Sequence, residues 1–255
     1  AVCYLSCGVP HEFSADEKES VARAFDRADF VYVRDEQSRA KLMRAGVARE
    51  IRVAPDLIVT LGDYFPRDEQ AQRGRDILSR WDVDTERPVL CFQCKPHPGF
   101  VAEEIVEQLK LFRQRSGTEV VLLPLGYCHR DELFLTEVAR KSEGTLKLVG
   151  VRSIYEMLAV IAASSVFVGT SMHGNITAFS YGLPHLYGPL AVDKAEGFLS
   201  GAGLPDELKL RAWWELNEKI DFATGLGPDF FNARAREAKA SVYRVVEELV
   251  KKLPG

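Results

Sequence analysis

Apolar and polar positions alternate between two periods along this chain. "AVCYLSCG" at the start reads as a strand ending at a glycine, and "SADEKESVARAFDRA" follows with apolar residues at helical intervals. Ser14 and Glu17 have the spacing of a capping box, which places a helix start there. Next come a strand "FVYVR", a helix "DEQSRAKLMRAG" closed by Gly46, and a strand "EIRVAPDLIVTL". This β-α-β-α-β order predicts a parallel sheet wrapped by helices.

Residues 63–87 break the rhythm. The stretch is polar, lacks a strand pattern and ends just before Pro88, so it predicts an interdomain connector with a short helix, assigned to 67–87. A second series then begins, with strands at 88–94, 118–124, 145–150, 165–169 and 184–188. Helices at 101–116, 130–141, 153–163 and 173–182 separate them. "VLCFQ", "EVVLLPL" and "SVFVG" are continuously apolar, as strands covered on both faces are. A long amphipathic helix closes the chain at 229–253.

The expected fold class is therefore α/β with two Rossmann-like parallel-sheet domains. The first, 1–66, is expected to be N-terminally incomplete, because the chain opens without Met and already inside a strand. The second is 88–228, and 229–255 is the C-terminal helix. Ligands of such sheets bind at the carboxyl ends of the strands. Three stretches fall there: "VRDEQS" (33–38), "FQCKPHPG" (92–99) and "GTSMHGN" (169–175). Two units facing one another would line one cleft with all three.

Composition narrows the function classes. The 255 residues are 27% charged and 46% hydrophobic with net charge −4, and acids and bases are mixed along the chain. No basic run or aromatic-basic stripe suits nucleic acid. No apolar stretch reaches the roughly 20 residues of a spanning helix. Five cysteines are an odd, low count that fits a reducing, cytoplasmic setting. Cys91 and Cys94 form a CxxC inside a strand pattern, where positions three apart face opposite sides, so they read as small buried hydrophobes rather than metal ligands. Gly-x-Ser-x-Gly, Walker A and GxGxxG patterns are all missing.

The candidate chemistry sits at the strand ends. In "GTSMHGN" a helix N-terminus favours an anion. Thr170 and Ser171 add hydroxyls, Asn175 an amide, and Gly174 lets the backbone approach a ligand closely. His173 falls in the first turn, facing either the cleft or the sheet. Alternatively, Thr170 or Ser171 caps the helix and His173 fills space. Arg34 has the planar fork that suits a carboxylate or phosphate, or it pairs with Asp35 or Asp56. Asp35 or Ser38 caps the next helix. Lys95 either adds positive charge to an anion site or is a solvated loop lysine. Asp193 and Lys194 stand at another helix start with the same ambiguity. His129 is followed by Asp131, which reads as simple helix entry. Trp213 and Trp214 suit sugar stacking or packing.

These residues resemble the polysaccharide pyruvyl transferase family over most of 1–200. In its first block a strand ends in Arg-Asp, followed by Ser, Leu-x-x-x-Gly and a valine-rich strand with Pro-Asp. Arg34, Asp35, Ser38, Leu42, Gly46, Pro55 and Asp56 fill those places. In its second block Ser153 and Glu156 precede an apolar strand, and His173, Ala178, Gly182, Pro184 and Lys194 follow. Two features depart from the pattern: Ser171 stands where many members carry Arg, and the opening strands with a glycine-rich loop are missing.

The resemblance implies a GT-B-like fold and transfer of pyruvyl from phosphoenolpyruvate to two sugar hydroxyls as a cyclic ketal, in cell-surface polysaccharide biosynthesis. His173 would be the general acid/base. Arg34, Asp35, Lys95, Thr170, Ser171, Gly174, Asn175 and Lys194 would bind substrate. No cofactor beyond the donor and no metal are expected, and the acceptor sugar would be carried on a lipid or nucleotide. A cytoplasmic protein is expected, with peripheral association at the inner face of the membrane compatible with the composition. Two rival readings are a nucleotide-sugar glycosyltransferase on the same scaffold, for which Asp193 and Glu196 offer acids, and a non-catalytic carbohydrate- or anion-binding relative.

Overall fold

A computed structural model describes residues 1–190 and 193–252. In chain order the elements are β1 (Cys3–Cys7), α1 (Ala15–Asp26), β2 (Phe30–Val33), α2 (Glu36–Arg44), β3 (Arg52–Val53), α3 (Leu61–Tyr64) and α4 (Arg67–Ser79). β4 (Val89–Gln93), α5 (Ala102–Ser116), β5 (Glu119–Leu122), α6 (Asp131–Lys141), β6 (Lys147–Leu148) and α7 (Ile154–Ala163) follow. The chain finishes with β7 (Val166–Gly169), α8 (Met172–Ser180), β8 (His185–Tyr187), α9 (Asp193–Gly201), α10 (Leu216–Gly225) and α11 (Gly227–Lys252). None of the described helices is long and apolar enough to cross a membrane.

The chain divides into two compact units. The first comprises residues 1–60, 191–206 and 234–255, and the second 61–190 and 207–233. This division differs from the expected one, because 191–206 groups with the first unit and the boundary falls inside α11.

The first unit is built on a parallel sheet in the order β1-β2-β3. The two-residue period of β2 sorts its side chains: Val31 and Val33 pack with Leu42, Val47 and Ile51, while Tyr32 packs with Ala54 and Leu249. The Glu17 carboxylate accepts the Ser14 N–H at 2.8 Å, closing the start of α1 as its sequence predicts. Gly46, with φ of +93°, follows the end of α2 in a conformation that suits only glycine well. The strand expected over 50–61 is confined to Arg52–Val53. Pro55 cannot donate to a ladder, and Asp56 Oδ1 accepts the Ile58 N–H at 3.1 Å, which turns the chain into the helical stretch 57–64.

The second unit carries an all-parallel sheet in the order β6-β5-β4-β7-β8. The stretch expected to be a connector with a short helix holds α4, a 13-residue helix that packs on α7 and so belongs to the second unit. Ala71, Ile77 and Leu78 of α4 join the core with Cys91, Val121, Val160 and Phe167. Fully burying such a branched or aromatic side chain contributes roughly 1.5–3 kcal/mol. The succession β4, β5, β6 grows in one direction and β7, β8 in the other. The switch in topology therefore lies between β4 and β7, and ligands of such sheets bind at the carboxyl ends of the strands beside it.

Candidate active site

β4 is buried along its whole length, yet it ends in an amide, Gln93, which is only 2% exposed. Its partner in register on β7 is Gly169. A Cβ on Gly169 would lie 2.7 Å from the Phe167 ring and 3.0 Å from Gln93 Oε1, so glycine is required where the amide approaches. Ser171 caps α8, its Oγ accepting the Gly174 N–H at 3.2 Å. His173 follows in the first turn and is exposed.

Beneath that turn lies a buried polar chain. Gln93 Oε1 accepts the Ser171 N–H at 2.8 Å and the Thr170 hydroxyl at 3.4 Å. Its Nε2 donates to Asp131 Oδ2 at 2.6 Å. The same oxygen accepts the N–H groups of Gly126 at 2.8 Å and Leu125 at 3.3 Å. Asp131 is 1% exposed. Burial, and then the Asp131 charge, hold the Cys94 thiol well above its ordinary pKa, so it stays protonated and inert as a nucleophile.

Several residues expected to touch substrate are used within the fold. Asn175 is fully buried and donates to the carbonyls of Gly169 and Ser171, both at 2.9 Å. Gly174 is buried, and a Cβ there would lie 2.6 Å from Phe167 and 2.7 Å from Leu125, so packing explains this glycine. The Lys95 N–H donates to Thr170 Oγ1 at 3.1 Å, tying the β4 and β7 loops together. The side chain of Lys194 lies outside the described residues. Ser153 and Glu156 are helix-capping groups: Ser153 Oγ accepts the Glu156 N–H, and the Glu156 carboxylate accepts the Arg152 N–H. Trp213 is buried against Phe92 and Phe100, whereas Trp214 is exposed.

Arg34 occupies the carboxyl end of β2 in the first unit. Its side chain is 12% exposed, with Nε 3.4 Å from Asp35 Oδ2 and Nη1 3.6 Å from Asp56 Oδ2. Asp35 also caps α2, accepting the Ser38 N–H at 2.6 Å, while Ser38 Oγ accepts the Val9 N–H at 2.9 Å. Thus Arg34, Asp35, Ser38 and Asp56 form one cluster. Arg34 also walls a cavity of about 400 Å³ within the first unit, lined by Pro55, Ser200, Gly203, Arg234 and Ser241 among others.

In the sequence Gln93 is marked only as part of the strand-end stretch 92–99, and Asp131 only as a helix start. A polar residue ending a fully apolar central strand was the available signal for Gln93. No local signal marks Asp131, which meets Gln93 only through the parallel pairing of β4 with β5. Among the described residues no cluster of His, Cys, Asp and Glu is arranged to hold a metal ion.

The family profile described as polysaccharide pyruvyl transferase matches residues 1–187. Against curated proteins the sequence finds no match. Among solved structures, the chain is similar to a UDP-GlcNAc 2-epimerase from Methanocaldococcus jannaschii at 16% identity and TM-score 0.65, covering 98% of this chain and 70% of that one. A glycosyltransferase from Rickettsia africae superimposes at 14% identity and TM-score 0.63, over 93% of this chain and 64% of that one. Anabaena HepE in complex with UDP and glucose gives 14% identity, TM-score 0.56, and coverage of 94% and 68%. The chain thus spans just under two thirds of the Rickettsia protein. At such identities these likenesses establish the GT-B-like fold and nothing about substrate.

Proposed function

Because the chain belongs to the polysaccharide pyruvyl transferase family, we propose that it moves pyruvyl from phosphoenolpyruvate onto two hydroxyls of a sugar in cell-surface polysaccharide biosynthesis. The observation that carries this reading is His173, an exposed titratable ring in the first turn of α8, next to the carboxyl ends of β4 and β7. Two C–O bonds form at C2 of the donor, and its C2–O bond to phosphate breaks. One hydroxyl proton ends on C3, which becomes a methyl group, and the other leaves with phosphate. His173 is the acid/base that moves these protons, an imidazole being able both to take up and to give a proton.

Arg34 is the candidate partner for the donor's carboxylate or phosphate. Its two ion pairs are long for charge-assisted hydrogen bonds and neither uses Nη2, so part of the planar fork remains for a ligand. The acceptor sugar, carried on a lipid or nucleotide at the inner face of a membrane, is the remaining partner in this reading.

Phosphate release by the 255-residue chain, supplied with phosphoenolpyruvate and a panel of vicinal and 1,3-diol sugars, tests the proposal. Release should depend on a sugar and fall about 10²–10⁴-fold in His173→Ala with the fold unchanged. Binding of UDP with no binding of phosphoenolpyruvate would replace this reading with a nucleotide-sugar glycosyltransferase.

A further inference from the structure

We infer that Gln93 and Asp131 are positioning residues for His173: they form a buried amide–carboxylate relay that sets where α8 begins. The inference rests on the reading of His173 as the acid/base.

Gln93 is an amide with one acceptor end and one donor end, and the two ends are interchangeable in shape. A chain-end amide able to flip would present either oxygen or NH₂ to α8, and only oxygen can accept the Ser171 N–H. Asp131 removes that freedom. Its Oδ2 already accepts the Gly126 and Leu125 N–H groups, and a carboxylate accepts but does not donate. Nε2 of Gln93 is therefore directed to Asp131, and Oε1 faces the Ser171 N–H and the Thr170 hydroxyl. The relay joins the carboxyl ends of β4, β5 and β7, the three strands around the topological switch.

Its output is the N-cap. Ser171 N–H is fixed by Gln93, and Ser171 Oγ in turn accepts the Gly174 N–H. His173 lies between these two anchored residues. A ring that must exchange protons with a hydroxyl and with a carbon has to be placed to a fraction of an ångström, and a misplacement of about 1 Å costs roughly a hundredfold in rate.

Amide hydrogen exchange in Gln93→Met, Asp131→Asn and Asp131→Ala tests the inference, alongside melting temperature and the kcat and KM for phosphoenolpyruvate. Gln93→Met keeps side-chain volume and removes both ends of the relay. Protection of the Ser171 amide should fall at least about tenfold, and kcat about 10–100-fold, with little change in KM. Asp131→Asn keeps an acceptor oxygen for all three donors and should stay within about threefold of the parent on both measures. Should Gln93→Met fail to fold, Asp131→Ala leaves the amide present but unanchored, and Ser171 protection should again fall. Unchanged Ser171 protection in a folded Gln93→Met or Asp131→Ala overturns the relay. So does a proportionate loss of kcat and melting temperature in Asp131→Asn. Exchange also separates the two readings: lost Ser171 protection in a protein whose parent turns over no phosphoenolpyruvate supports the relay and removes the proposed reaction.

Discussion

The Arg34 guanidinium lies against Gly8, so closely that a Cβ on Gly8 would collide with its central carbon. The glycine that ends the first strand motif is therefore a seat for the arginine that ends the second. Gly8→Ala should push the guanidinium away from Asp35 and Asp56. We expect a stability loss of about 1–3 kcal/mol by denaturant unfolding. The KM for phosphoenolpyruvate should rise in Gly8→Ala and in Arg34→Ala alike. An unchanged KM in both variants would remove Arg34 from donor binding.

Gly74 makes a different demand. A Cβ there would collide with the Ala159 carbonyl and lie 2.7 Å from the Ala163 methyl, in the seam between α4 and α7. Backbone cannot move aside as a side-chain tip can. Gly74→Ala should cost about 3 kcal/mol or more by denaturant unfolding, outweighing the gain of roughly 1 kcal/mol in helix propensity. A neutral or stabilising effect would contradict the packing described.

His185 predicts a pH dependence. It is fully buried among Phe179, Tyr187 and Phe231, with Nδ1 2.9 Å from the Leu183 carbonyl. Burial lowers its pKa to about 4 from an ordinary 6.5. The unfolded chain therefore takes up a proton that the folded one refuses. Stability from this group is fully present above pH 6.5 and falls by roughly 3 kcal/mol as pH drops towards 4. Unfolding free energies at pH 7 and 4.5 should converge in His185→Phe relative to the parent; identical pH slopes in the two proteins would refute the assignment.

Ser153 and Glu156, two members of the family pattern, cap α7 in the second unit. Ser153→Ala should cost about 0.5–2 kcal/mol in stability and leave kcat within twofold. A large loss of turnover without loss of stability would point to a role in chemistry instead.

Much of the second sheet was legible because its strands are continuously apolar and its helices carry clear periodicity. The strand expected over 50–61 was overextended because Val53 and the run Leu57–Thr60 look alike in apolar character, while the Asp56 turn between them is made by one side-chain contact. The short helix expected in the connector is there as α4, but its membership of the core was not legible because it packs through small residues such as Ala71 and Gly74, which leave a weak apolar stripe. At the candidate site, the helix start and His173 were readable from local order. The inward use of Asn175, the packing reason for Gly174 and the meeting of Gln93 with Asp131 depend on neighbours far away in the chain, and no local pattern records them.

The most direct test of the proposed transfer follows the donor's own carbon. With phosphoenolpyruvate labelled with carbon-13 at C2, the intact chain and a competent sugar should move the label from an enol to a ketal carbon, one phosphate appearing per ketal, and His173→Ala should leave it in the enol. A label that stays in phosphoenolpyruvate with every sugar diol offered, while a UDP-sugar is consumed in its place, would contradict the account.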